Sequence, residues 1–431
     1  MLNITPKAAI AGALGAILAI TACAAESREK SGHWVTAWGA AVHTPIPFPG
    51  FPPPPVIENQ TVRMVVRPTI AGRRLRLRIS NAFGDSPLAI GAVHIARIQK
   101  GAAIVPSSDR AVTFGAEASF RVPSGAVWLS DPIDLHVKPF EEIAVSLFIP
   151  GKTPTSTCHS WAQHETYIST SGDFSAIVEI PNATKSPSWF WLSGFEVWAP
   201  KRTAAIIALG DSITDGFGAK QGEYGDFPDL LAKRLAQKSA IPSLAVVNEG
   251  IAGNRLLHGG AGVSALARLD RDVIAQPGIA NLIVEVGLND IGWSHMPLPP
   301  KGAPPTIFNR STESVTAEEI ILGLRQIIDR AHQHRLRVFG ATLSPFEGAI
   351  YFSAEGETVR QKVNKWIRSD RAFDGVFDFD AALRDPNHPS QIRIDYQSGD
   401  RLHPSEAGYR AMVDAIDISL LQKKPPRPRS R

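Results

Sequence analysis

The sequence predicts two domains of different class: an all-β sandwich, then an α/β domain built on a parallel sheet with helices on both faces. Three observations lead there. From His33 to Pro200, short strand-like runs are separated by turn residues. Near Lys201 the pattern changes to apolar strand runs alternating with helical stretches. The length of 431 residues also exceeds that of an ordinary single domain.

In the first region, spanning 33–200, Arg74-Leu75-Arg76-Leu77-Arg78-Ile79 alternates polar and apolar residues, as a strand with one buried face requires. Thr61–Val66, Ala92–Ile98 and Glu142–Ile149 are similar runs. Asn81-Ala82-Phe83-Gly84-Asp85, Pro123-Ser124-Gly125 and Ser171-Gly172-Asp173 are turns between them. Pro45–Pro55 is too rich in proline for a central strand and reads as a polyproline-type surface loop. The 34 prolines of the chain exceed the usual ~5% share and predict many turns and long loops.

In the second region, spanning 201–422, the strand runs are Ala204–Leu209, Leu244–Val247, Leu282–Val286, Val338–Thr342 and Gly375–Phe379. Helical stretches lie between them at Phe227–Lys238, Ser264–Ala275, Ala317–His334 and Glu357–Arg368, and a last helix covers Glu406–Leu421. Such β–α units in series imply five parallel strands covered on both faces. Ligands of such sheets sit beyond the carboxyl ends of the strands.

The formal charge is +4, but the tail Lys423–Arg431 (KKPPRPRSR) carries five basic residues and no acid. Removing those five charges takes +4 to −1, so the folded body has no basic excess and a nucleic-acid partner is excluded. The tail, 423–431, is short, charged and proline-rich and reads as disordered. At the other end, Lys7, the apolar run Ala8–Ile20 and the small residues Thr21-Ala22-Cys23-Ala24-Ala25 follow the pattern of a secretory signal over 1–24. The apolar run is shorter than the ~20 residues that span a bilayer. Two cleavage readings stand. Ala22-Cys23-Ala24 fits a plain cut, giving a periplasmic or secreted protein. Ile20-Thr21-Ala22-Cys23 resembles a lipobox, giving a lipid anchor at Cys23 and an outer-membrane lipoprotein. Either way Cys158 alone remains as a free thiol in the mature body, without a disulfide partner, and reads as structural.

Four short motifs carry the chemistry. Leu209-Gly210-Asp211-Ser212-Ile213-Thr214-Asp215-Gly216 follows the first strand of the second region, where a serine at a strand-to-helix turn exposes its hydroxyl. Asn248-Glu249-Gly250-Ile251-Ala252-Gly253-Asn254 follows the second, and Val286-Gly287-Leu288-Asn289-Asp290 the third. A glycine backbone N–H and an asparagine amide are donors of the type that stabilises an oxyanion. Asp400-Arg401-Leu402-His403-Pro404 precedes the last helix, and its Asp and His, three apart, can share a side-chain hydrogen bond. Each motif alone also occurs as an ordinary turn or helix start.

In this order the four motifs resemble the blocks of the SGNH hydrolases, also called GDSL esterases/lipases, over about 201–422. The family's Ser, Gly, Asn and His are matched by Ser212, Gly253, Asn289 and His403, and its Asp by Asp400. The resemblance implies a flavodoxin-like three-layer domain and a carboxylic-ester hydrolase working through an acyl-serine. Ser212, Asp400 and His403 would be catalytic, and Ser212, Gly253 and Asn289 would form the oxyanion hole. Ile79-Ser80-Asn81-Ala82-Phe83-Gly84, Ser264–Asp270 and Phe373–Asp380 resemble a bacterial two-domain subfamily of arylesterases and acylhydrolases, some associated with xylan breakdown.

No metal or cofactor is called for. His332 and His334 are two apart on a helix and point apart, and Gly210, Gly216 and Gly218 do not have dinucleotide-loop spacing. The proline-rich stretch Trp293–Thr312 either borders the substrate pocket or is a passive loop. Asp211 and Asp290 read as local supports, and Arg255 either contacts substrate or, the safer reading, is a surface residue. Trp34, Trp38, Trp128, Trp161, Trp189, Phe190, Trp191 and Trp198 either form a sugar platform or pack internally. The expected partner is a small-molecule or polysaccharide ester. The rival readings are a lipase, lysophospholipase or thioesterase, and a non-catalytic carbohydrate-binding protein.

Overall fold

The computed structural model describes residues 31–46, 54–238, 243–294 and 314–422. The expected signal segment 1–24 with Cys23, the basic tail 423–431, and most of the stretches 45–55 and 293–312 lie outside the described residues.

The N-terminal region is β-rich. One sheet runs in the order Gly32–Gly39, Leu192–Pro200, Gly72–Ser80 and Val127–Leu129, with Ile133–Val137 also paired to Gly72–Ser80. A second is centred on Thr166–Ser171, Gln60–Val66, Ile143–Ile149 and Ala92–Lys100. The pairings in both are antiparallel. The alternation at Arg74–Ile79 works as the pleat demands: Leu75, Leu77 and Ile79 are fully buried. The opposite face is not simply solvated. Arg76 and Arg78 both pair with the buried Glu196 of the neighbouring strand, Arg78 at 2.8 Å. Arg63, also fully buried, is tolerated because its guanidinium donates to Ser146 and to the carbonyls of Ala102 and Ile177.

From Ala204 the pattern is β–α. A five-stranded sheet runs Leu244–Gly250, Ala204–Gly210, Ile279–Glu285, Arg337–Ala341, Gly375–Phe377, and its neighbours pair in parallel. In chain order this is 2-1-3-4-5. The order reverses beside the first strand, and such a switch point is where open α/β sheets place ligands.

The helix expected over Ser264–Ala275 is an α-helix over Ala265–Leu269 continued by a wider-wound turn over Asp270–Ile274, and caps account for two other differences. The last strand stops at Phe377 rather than Phe379, because Asp378 accepts from the Ala381 N–H and caps a helix over Phe379–Leu383. The last helix is broken into Glu406–Asp414 and Ile418–Leu421, the second piece capped by Asp417.

One continuous hydrophobic core joins the two regions. The Thr36 N–H donates to Pro277 O, and its hydroxyl donates to Gln276. Arg67 pairs with Asp229 at 2.7 Å. Trp161, Trp189, Phe190 and Trp191 are buried in this core, so internal packing holds for them. Trp34, Trp38, Trp128 and Trp198 are half-buried. Cys158 is buried, and burial pushes its thiol up to about 12, which suits a structural role. Among the described residues, no helix is long and apolar enough to cross a membrane.

Candidate active site

Ser212 opens a four-residue helix, Ser212–Asp215, directly after the Ala204–Gly210 strand. Asp211 caps that helix by accepting from the Ile213 N–H. At a helix start the first N–H groups have no intrahelical acceptor, which leaves the Ser212 N–H available.

Asp400 and His403 sit on the loop before the Glu406–Asp414 helix. The Asp400 carboxylate accepts from the N–H groups of Leu402 and His403 through Oδ1, and from His403 Nδ1 at 2.5 Å through Oδ2. Burial opposes its charge, but the His403 hydrogen bonds and charge hold the carboxyl well below the usual range. Since His403 Nδ1 donates to Asp400, Nε2 is the acceptor, and it lies 2.8 Å from Ser212 Oγ.

This contact depends on how closely two loops meet. Gly218 has φ +89°, and a Cβ there would stand 2.4 Å from the carbonyl of Pro404 and 2.9 Å from the Ser398 side chain. Only glycine lets the loop after Ser212 seat against the loop that carries His403. The Tyr409 hydroxyl donates to Phe217 O at 2.6 Å, and the Phe217 ring packs on the His403 ring at 5.2 Å.

Gly253 and Asn289 flank the serine. Gly253 follows the Leu244–Gly250 strand and Asn289 follows Ile279–Glu285, the two strands that pair on either side of the serine's own. Gly253 has φ +74°. Asn289 Nδ2 donates to Asn254 O at 3.0 Å, while Oδ1 accepts from the Tyr351 hydroxyl at 3.2 Å. The tyrosine thereby fixes which end of the amide is the donor. All five predicted site residues thus occupy the carboxyl edge of the sheet.

Residues 208–411 match the model of the GDSL-like Lipase/Acylhydrolase family. This segment belongs to that family. The chain is accordingly a carboxylic-ester hydrolase. No curated protein matches the chain. Three solved structures illustrate its similarities. A catalytic mutant of an acetylxylan esterase from Geobacillus stearothermophilus is 22% identical, with 52% of this chain and 97% of that one covered and a TM-score of 0.38. An α/β hydrolase from the metagenome of Lake Arreo, Spain, is 21% identical over 50% and 94%, with a TM-score of 0.37. A GDSL-like lipase from Bacteroides thetaiotaomicron is 14% identical over 50% and 87%, with a TM-score of 0.34.

Near Ser212 the acylhydrolase segment also buries Asp211, Glu285 and Asp290. Burial, with repulsion from Asp290, raises Asp211, and burial, with repulsion from Asp211, raises Glu285, so both hold a proton more tightly than exposed carboxyls do. Thr214 donates to Glu285 at 3.1 Å. Asp290 accepts from the N–H groups of Leu256 and Leu257, holding the loop that begins at Gly253. Both Asp211 and Asp290 therefore support local structure.

Arg255 is not a surface residue. It is 3% exposed because its guanidinium packs over the Trp293 ring, 5.1 Å from the centroid, and donates to Gly259 O. The ring of Trp293 in turn lies 3.2 Å from where a Gly253 Cβ would be. Among the described residues no cluster of His, Cys, Asp or Glu could hold a metal. Tyr351, Phe217, Asp215 and His159 were not singled out from the sequence. Asp215 lies within the Ser212 motif, but the others carry no local pattern.

Proposed function

We propose that this protein is an exported serine esterase that cleaves short-chain esters on carbohydrate or small aryl alcohols through an acyl-serine intermediate. The observation that supports this is the unbroken chain from Asp400 through His403 to Ser212, with separations of 2.5 and 2.8 Å. In the first step His403 Nε2 takes the Ser212 proton as Oγ bonds to the ester carbonyl carbon. The N–H groups of Ser212 and Gly253 and the amide of Asn289 hold the developing oxyanion. The carbon–oxygen bond to the alcohol then breaks, and His403 gives its proton to the leaving oxygen. Water repeats the sequence on the acyl-serine, releasing the acid and restoring Ser212.

The preference for short-chain and aryl esters rests on the resemblance to arylesterases and acylhydrolases. The carbohydrate preference rests on the resemblance to the two-domain subfamily. Export rests on the 1–24 segment, with a plain cut or a lipid-bearing Cys23 as its two forms. We read the architecture as a sandwich over 33–200 and a flavodoxin-like three-layer domain over 201–422.

A panel of acetylated xylan, aryl acetates and longer acyl esters tests this reading, with Ser212→Ala beside the natural chain. Turnover confined to short esters and abolished by Ser212→Ala is expected. A preference for long acyl chains would make the protein a lipase or lysophospholipase. No turnover, and no labelling by a serine-directed phosphonate, would overturn the esterase reading.

A further inference from the structure

Within the β-rich region, His159 is 2% exposed and reaches the nucleophile helix. Its Nδ1 faces Ala41 O at 2.9 Å, and its Nε2 faces Asp215 Oδ1 at 3.0 Å. A carbonyl only accepts, so Nδ1 carries a proton. With a carboxylate at Nε2, the second nitrogen carries one as well. Burial works against that charge, but the Asp215 carboxylate overcomes it and holds the imidazole above its ordinary value.

Asp215 is the last residue of the helix that Ser212 opens. Its second oxygen, Oδ2, accepts from the Ala252 N–H at 3.0 Å. Ala252 immediately precedes Gly253. One carboxylate thus ties the serine helix to the oxyanion turn, and its orientation is set by a histidine from the other region.

We propose that His159 is a positioning residue of the esterase, aligning the Gly253 N–H with Ser212 through Asp215. The proposal rests on the reading of Gly253 as an oxyanion donor. The β-rich region then has a direct part in turnover: it completes the active site from outside the acylhydrolase segment.

The experiment measures kcat and KM on p-nitrophenyl acetate for His159→Asn, His159→Gln and Ser212→Ala in the full chain. Glutamine is long enough to present an N–H near the Nε2 position, whereas asparagine is not. His159→Asn should lower kcat by about 10- to 100-fold with KM within about twofold, the size of effect a displaced catalytic group produces. His159→Gln should recover most of that loss. Unchanged kcat in His159→Asn, equal losses in both variants, or a loss carried by KM alone would overturn the proposal. If His159→Asn does not fold, Asp215→Asn reads the same link, since one amide cannot accept from both His159 and Ala252. A folded Asp215→Asn with natural kcat would overturn it, and a tenfold drop at constant KM would support it. Ser212→Ala separates the two readings: natural activity there removes the esterase site itself, whereas an inactive Ser212→Ala beside a fully active His159→Asn removes only the positioning role.

Discussion

The Nε2 of His403 accepts a hydrogen bond from Ser212 Oγ at 2.8 Å, between residues 191 apart in the chain. Each is held by its own local device: the serine by the Asp211 cap, the histidine by Asp400. On the proposed mechanism, removing either end removes the proton transfer that starts acylation. Ser212→Ala and His403→Gln should each lower kcat on aryl acetates by about 10⁴-fold or more. Because the two act as one unit, the double variant should be little worse than either single one. Steady-state assays of the three variants check this, and losses that multiply would contradict it.

Asn289 offers an independent test of the proposed oxyanion hole. Asn289→Ala should cost about 10²–10³ in kcat with little change in KM, as loss of one donor to a developing charge does. Tyr351→Phe removes the hydroxyl that fixes the Asn289 amide. It leaves the donor in place but frees it to turn over, so its kcat should fall by about tenfold, well short of the alanine variant. If Tyr351→Phe equals or exceeds Asn289→Ala, the tyrosine does more than orient the amide.

Ser212, Gly253, Asn289, Asp400 and His403 were legible because each sits in a short motif at a strand end or helix start. Glycine, asparagine and aspartate stand out at such places. The strand runs were legible for a similar reason, since full burial leaves a plain apolar signature at Ala204–Gly210 and Leu244–Gly250. What was hidden depends on long-range contact. Tyr351 reaches Asn289 across 62 residues, and His159 reaches Asp215 across 56. Neither shows a period or motif of its own. Arg255 was misread because a lone arginine defaults to the surface, and only the Trp293 ring beside it supplies a reason for burial. The strand ending at Phe377 was overrun because apolar Phe379 continues the run, while the cap at Asp378 acts through a side chain.

Gly218 and Gly222 separate loop docking from backbone strain. Both have left-handed φ, +89° and +79°, so alanine at either costs about 1–2 kcal/mol in backbone strain. Only at Gly218 would the new methyl meet Pro404 and Ser398; at Gly222 nothing lies within 4 Å. Gly222→Ala should therefore lower the melting temperature and keep kcat. Gly218→Ala should lower both, since the loop carrying His403 must shift. Thermal unfolding and turnover of the two variants check this, and equal kcat would show that the triad tolerates the displacement.

The paired histidines of the β-rich region predict an acid sensitivity with a definite sign. His43 and His159 lie 5.7 Å apart, and both are buried. His43 Nδ1 donates to Thr44 O at 2.6 Å, while its Nε2 accepts from the Ser160 N–H at 3.1 Å. That second contact requires a bare nitrogen, so the ring is neutral where His159 is charged. Burial, reinforced by the charge on His159 and by Arg268 and Arg271, lowers His43 from 6.5 to about 3. Between those values the unfolded chain binds a proton at His43 that the folded chain refuses, so stability falls as pH falls through this window. His159 is raised, so it adds only a small slope of opposite sign near pH 6.5, which is common to both proteins. Between pH 6.5 and 4.5 the His43 contribution is about 2–3 kcal/mol. Urea unfolding of the natural chain and of His43→Gln at both pH values isolates it, because the opposing raised acids Asp226, Glu249 and Glu285 are common to both proteins. The variant should be less stable at pH 6.5 and should lose less on acidification. Parallel curves for the two proteins would mean that His43 takes up its proton in the folded state after all.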